Sequence, residues 1–238
     1  MNFTRIISKL KAAVDLFTGG ARFSYSQFAE DVIMDTLFSQ TLNISNPTYL
    51  DIGANNPKAG SNTYLFYLKK CKGVCVEPDV ELYRKFKNAR PKDKVINAGV
   101  GIDDTKEATF YYFPEPYTGW NTFSKEDAHL KQQQTGVKFK NDRIIPFVNI
   151  NTLIQENFET APDFISLDVE GLDLQILKTL DFTKYAPMVF CVETMEFNNM
   201  KLGKKNTAIV DFLESNNYVI YADTYINTIF VRKDLLNI

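Results

Sequence analysis

An α/β fold with a mostly parallel sheet is predicted by three features of the sequence. Short apolar runs alternate with helical patterns along the chain. Several of those runs stop abruptly at a carboxylate, an asparagine or a glycine, as strands do where they open onto a ligand-bearing edge. The 238 residues, 45% hydrophobic and 13% aromatic, are enough for one large core, so residues 1–238 are read as a single domain.

Residues 3–17 form an amphipathic helix with Phe3, Ile6, Ile7, Leu10, Val14 and Phe17 on one face, linked to the domain by a segment reaching residue 24. Covering its own domain or a dimer partner is favoured over membrane-surface docking, because Arg5, Lys9 and Lys11 give little electrostatic help. A helix over 26–38 starts behind Ser26, which can cap it. Then come strand 49–52, helix 61–70, strand 73–77, helix 79–89 and strand 94–98. Residues 107–113 read as an extra strand. Residues 114–140, with Pro, Gly and Gln and weak periodicity, read as a loop-like insertion. The rhythm resumes with strand 144–148, helix 151–157, strand 164–168, helix 171–180, strand 188–193, helix 206–216 and closing strands 218–223 and 227–232.

Lys plus Arg number 27 against 29 Asp plus Glu, a net charge of -2, so the basic field that nucleic acid requires is missing. No apolar run approaches the roughly 18 residues of a membrane span, and no secretory signal pattern opens the chain, which points to the cytoplasm. Cys71, Cys75 and Cys191 lie in apolar patterns without zinc-site spacing and read as reduced, mostly buried thiols.

The stretch Tyr49-Leu50-Asp51-Ile52-Gly53-Ala54-Asn55 is a strand breaking into a bare turn. Gly53 allows a sharp turn and close backbone approach, and the short Ala54 and Asn55 keep the space open. Glu77 ends the next strand 24 positions after Gly53, near the spacing at which such folds place an acid on ribose hydroxyls. Only Gly53 and Gly60 occur where a pyrophosphate-binding turn would use three glycines, and Asp51 suits an ammonium better than a phosphate. An amino acid, a ribose and no phosphate together indicate S-adenosylmethionine. A nicotinamide-dependent oxidoreductase and a non-catalytic nucleotide-binding module are the alternatives.

The ordered series Tyr25-Ser26-Gln27 with Glu30-Asp31, the Asp51 turn, Val76-Glu77-Pro78, Asn97-Ala98-Gly99-Val100-Gly101 and Ile165-Ser166-Leu167-Asp168-Val169-Glu170-Gly171 resembles the FkbM-type methyltransferases from about residue 25 to 197. The resemblance implies a class I S-adenosylmethionine-dependent fold, Rossmann-like and doubly wound, with a mostly parallel seven-stranded sheet and helices on both faces. It also implies O-methylation of a sugar, glycan or similar hydroxylated acceptor, as in polysaccharide biosynthesis. Carried over by position, Asp51, Gly53, Ala54, Asn55, Glu77, Pro78, Asn97, Ala98 and Asp168 are cofactor residues, with Asn97 or its neighbours at the adenine edge. Gln27 and Glu30 cap the same pocket. The run Val192-Glu193-Thr194-Met195-Glu196 departs from the family in having no histidine close behind.

Two arrangements of the strand-end acids are open. Asp168 or Glu170 is the general base while Glu193 or Glu196 binds acceptor hydroxyls, or Asp168, Glu170 and Glu193 gather Mg²⁺ or Mn²⁺. The metal-free arrangement is favoured, because carboxylates at strand ends also cap helices, and Asp168 has that alternative near Gly171. Tyr111, Tyr112, Tyr117 and Trp120 offer aromatic faces for a sugar ring or for packing, and Gly119-Trp120-Asn121-Thr122 is the expected acceptor loop. His129, the one histidine, is expected to be a solvated loop residue.

Overall fold

The computed structural model describes residue 14, residues 22–198 and residues 201–236. The amphipathic helix expected at 3–17 therefore lies outside the described residues, apart from Val14. Helix α1 (Glu30–Thr36) runs on into a wider turn at Leu37–Thr41. The chain continues through β1 (Tyr49–Ile52), α2 (Tyr64–Leu68), β2 (Gly73–Val76), α3 (Val80–Ala89), β3 (Lys94–Ile96), β4 (Gly99–Gly101) and β5 (Glu107–Tyr112). After the insertion helix α4 (Lys125–Thr135) come β6 (Lys140–Asn149), α5 (Ile150–Asn157), β7 (Phe164–Leu167) and α6 (Asp173–Thr179). The fold closes with β8 (Val189–Glu193), β9 (Met195–Asn198), β10 (Lys201–Lys205), α7 (Thr207–Ser215), β11 (Tyr218–Asp223) and β12 (Asn227–Arg232).

Seven strands form the main sheet in the order β11-β12-β8-β7-β1-β2-β3. All but β12 run the same way, since β12 pairs antiparallel with both β8 and β11. Side chains alternate between the faces of each strand. Leu50, Ile52, Ile165 and Leu167 pack on one face with Ile150 and Ile154 of α5, Ile176 of α6 and Leu213 of α7. Tyr49, Cys75, Phe164 and Val189 pack on the other with Met34 of α1, Phe66 of α2 and Phe86 of α3. Helices thus cover both faces, and the three cysteines are buried, unpaired thiols. No described helix is long and apolar enough to cross a membrane.

The pairing register sets the functional edge. Ile52 lies opposite Val76 on one side and Leu167 on the other, Val76 opposite Ile96, and Leu167 opposite Val192. Asn97, Glu77, Gly53, Asp168 and Glu193 therefore follow one another across the carboxyl ends of five neighbouring strands. The chain leaves β1 towards β2 on one side, while β7 and β8 extend the sheet on the other, so a crevice opens at this reversal.

Three parts differ from the sequence expectation. The 144–148 strand is the end of β6, which joins β4 and β5 in a separate three-stranded sheet and is antiparallel to β5, so it is no βα unit of the main sheet. The insertion holds α4, capped by Ser124 on the Asp127 N–H and ended by Gly136 in the left-handed region. The β9–β10 hairpin was not expected.

Candidate active site

The crevice holds a cavity of about 370 Å³. Gly53 and Asn55 line it after β1, Glu77 and Pro78 after β2, and Ala98 after β3. Asp168, Val169 and Glu170 line it after β7, Glu193 at the end of β8, and Gln27 from the segment before α1. The small sheet and the insertion cover it through Phe110, Trp120, Asn121, Phe123 and Lys131.

Gly53 has a more specific reason than open space. Its φ is +78°, and a Cβ there would lie 1.8 Å from the carbonyl oxygen of Asp168. Any other side chain would collide with the end of β7. The N–H groups of Gly53 and Ala54 both donate to the Val76 carbonyl, tying the turn to β2.

Glu77 is 3% exposed, and its two oxygens accept from the Asn55 and Asp79 N–H groups, each at 2.7 Å. Burial pushes its carboxyl up to about 8, with those two N–H donors pulling the other way. A carboxylate has about four acceptor positions, so two remain for hydroxyl donors from the cavity. Asn97 does not line the cavity: its Nδ2 donates to the carbonyls of Glu77 and Pro78 at 2.8 and 2.9 Å and holds that turn in shape.

Asp51 and Ala54 are also absent from the lining. Asp51 shares its strand face with Tyr49 and points away from the crevice that Ile52 borders, while Ala54 packs in the core on that opposite face. Its carboxylate, 5% exposed, accepts from Thr63 Oγ1. Burial raises its pKa and nearby Arg90 lowers it, the net direction being up. Arg90, 0% exposed, donates to Asp93 at 2.7 Å, to Tyr49 Oη at 2.9 Å and to Thr63 Oγ1 at 3.0 Å. Glu30 is likewise buried away from the lining, accepting from Thr224 and Asn227 side chains and the Phe28 N–H. Burial would raise its carboxyl, and these donors hold it below the usual range. Of the two residues expected to cap the pocket, Gln27 reaches it.

Asp168, Glu170 and Glu193 come together, each with a carboxylate oxygen within 4.8 Å of the others. Burial pushes the Asp168 and Glu193 carboxyls up, followed by repulsion from Glu170 on Asp168 and from Asp168 on Glu193. Burial also raises Glu170, opposed by Lys131, whose Nζ lies 2.7 Å from Glu170 Oε2. Asp168 is not the cap of α6: Asp173 accepts from the Val169 and Gly171 N–H groups, while its own carboxyl is pushed up to about 6 by burial. Glu170 has φ 55°, an unfavourable conformation for a non-glycine residue and a mark of functional turns.

In the insertion, Trp120 stacks on Tyr117 at 4.5 Å between ring centroids and meets Phe113 edge-on. Asn121 Oδ1 accepts from the Phe113 N–H, and Thr118 Oγ1 donates to Asn55 Oδ1 at 3.2 Å, docking the insertion on the β1 turn. His129 is exposed and packs edge-on against Phe139, outside the cavity. The Glu196 side chain lies outside the described residues. Lys131 escaped the sequence reading. Asp127, Leu130, Lys131 and Gln134 share one face of α4 at helical spacing and line the cavity together, a signal visible once Ser124 and Gly136 bound the helix.

Residues 51–220 match the Methyltransferase FkbM domain family, more than half of the chain. The chain belongs to this methyltransferase family. The seven-strand order agrees with the class I fold. No curated protein matches the sequence. Among solved structures, the chain is similar to a TehB-like SAM-dependent methyltransferase from Corynebacterium glutamicum, with 10% identity, 98% of this chain and 100% of that one covered, and a TM-score of 0.43. It is also similar to an O-methyltransferase from Bacillus cereus in complex with SAH, at 11% identity, 95% and 87% coverage and a TM-score of 0.42.

S-adenosylmethionine is the cofactor of this methyltransferase, and the cavity's chemistry fits it. The ligand is a cation without phosphate, and the lining carries Glu77, Asp127, Asp168, Glu170 and Glu193 against Lys131. Glu77 keeps acceptor capacity for a vicinal diol. A dinucleotide diphosphate would meet this acidic wall with one lysine, already paired to Glu170.

Proposed function

We propose that this methyltransferase acts on a hydroxyl of a sugar or glycan acceptor. The observation that carries this reading is the Asp168, Glu170 and Glu193 cluster at the far side of Gly53 from Glu77, where an acceptor hydroxyl would meet the methyl donor. S-adenosylmethionine supplies a methyl group already activated on a sulfonium. The chain's residues must then bind, aim and deprotonate. Glu77 accepts from the ribose hydroxyls, Asn55 and Gln27 border the same ligand, and Pro78 and Ala98 flank the base. Asp51, Ala54, Asn97 and Glu30 act through the framework, fixing the turns that carry these contacts.

Asp168, which lines the cavity at the end of β7 beside the Gly53 turn, takes the acceptor hydroxyl's proton. Glu193 orients the acceptor, and Trp120 and Asn121 border its reacting end from the insertion side of the first cavity. Alignment is worth an effective molarity of about 10⁵ M or more, against about 10² to 10⁴-fold for the base, so the walls of the cavity matter at least as much as Asp168. We place the reaction in the cytoplasm, in keeping with three buried thiols left unpaired.

Methyl-labelled S-adenosylmethionine, incubated with the full chain and a panel of mono- and disaccharides, tests this reading. Label in a sugar methyl ether is the expected result. Label on nitrogen only, or cofactor binding without transfer to any hydroxyl, would overturn it. The oxygen spacing in the acid cluster also favours a second reading, a divalent cation that lowers the hydroxyl pKa. Activity lost in chelator and restored by Mg²⁺ would select that reading.

A further inference from the structure

A second cavity, of about 250 Å³, lies on the other side of the acid cluster. It shares Asp127, Lys131, Glu170 and Glu193 with the first, so two acids of the cluster and one face of α4 border both cavities. Leu174 of α6 and Ile209 of α7 provide apolar surface, while Gln175 and Asn206 provide amide groups. An apolar patch with convergent polar groups is the usual make-up of a small-molecule site. The volume is of the order of one sugar ring.

We propose that this second cavity seats the acceptor, and that it takes a neutral or amine-bearing sugar residue and rejects an anionic one. The proposal rests on the O-methylation reading above. Its charge selectivity follows from the lining. Asp127, Glu170, Asp173 and Glu193 surround the cavity, and Lys131, the one cation lining it among the described residues, is engaged by Glu170 at 2.7 Å. An added carboxylate or phosphate would find repulsion and no unengaged cation among the described lining residues. Hydroxyl and ammonium groups find acceptors. Asp168 lines the first cavity only, so the reacting hydroxyl would reach it past Glu170 and Glu193, which both cavities share.

The full chain, with S-adenosylhomocysteine filling the first cavity, would be titrated calorimetrically with three disaccharides of equal length: N,N′-diacetylchitobiose, its free amine and digalacturonate. Binding of the first two with digalacturonate at least ten-fold weaker is expected. Gln175 is exposed at the rim, so Gln175→Trp keeps the fold and is expected to weaken both ligands at least ten-fold while S-adenosylhomocysteine affinity stays within about two-fold. Asp127→Lys is expected to tighten digalacturonate at least ten-fold. Equal binding of all three, no binding of any, or Gln175→Trp binding like the parent would overturn the proposal. Sugars that bind as expected but never accept label would sink the O-methylation reading alone and leave the sugar seat standing.

Discussion

Beneath the β1 turn, Asp51 and Asp93 are sealed around a fully buried Arg90, whereas one strand along, Asp168, Glu170 and Glu193 face two cavities with Lys131 as their close cation. Both groups border the same sheet and both have carboxyls raised by burial. The difference is compensation. Arg90 meets Asp93, Tyr49 and Thr63 inside the core, so that network is a closed framework. The second group has three carboxylates, one close lysine and open space beside it. An acid at a strand end signals function only when its pairing is incomplete.

The sharpest way to break this contrast is Asp168→Asn. Turnover is expected to fall about 10² to 10⁴-fold, with thermal stability and S-adenosylmethionine titration nearly unchanged. If turnover survived, the open cluster would be framework too. Arg90→Met should show the reverse: a stability loss of about 3 to 5 kcal/mol, because buried charges are left unpaired, read as a lowered denaturation midpoint. Glu77→Gln removes charge-assisted hydrogen bonds worth about 1.5 to 3 kcal/mol, so calorimetry should show S-adenosylmethionine bound roughly 10- to 100-fold more weakly, with NAD binding absent throughout.

The smallest effect is one of pH. In the native chain Glu77 titrates at about 8, above its ordinary 4.5. Between those values the folded state binds the extra proton, so its contribution to stability is present below about 4.5 and lost as pH rises through 8. The melting temperature of the ligand-free protein should therefore fall with pH across that window more steeply than in Glu77→Gln. Equal slopes would mean that Glu77 is ionised throughout.

The main sheet was legible because its strands are compact apolar runs bounded by turn residues, and β11 and β12 fall where the pattern puts them. The small sheet was not, because β6 reads like the start of another βα unit and only its pairing with β5 tells otherwise. Helix α4 was hidden by its polarity: Ala128 is its one buried residue, so it carries no apolar stripe. Asp51 was misplaced for a simpler reason. Leu50 and Ile52 take one face of β1, so strict alternation already sends Asp51 to the other, with Tyr49.

The contact between Gly53 and the Asp168 carbonyl leaves no slack between the donor side of the site and the acid side. One hydrogen atom is the whole clearance. The two strand ends thus behave as a fixed gauge block, whose thickness sets how far a bound cofactor stands from the carboxylate beside it. A methyl group at position 53 would act as a shim, widening that gap and moving every aligned distance across the crevice at once.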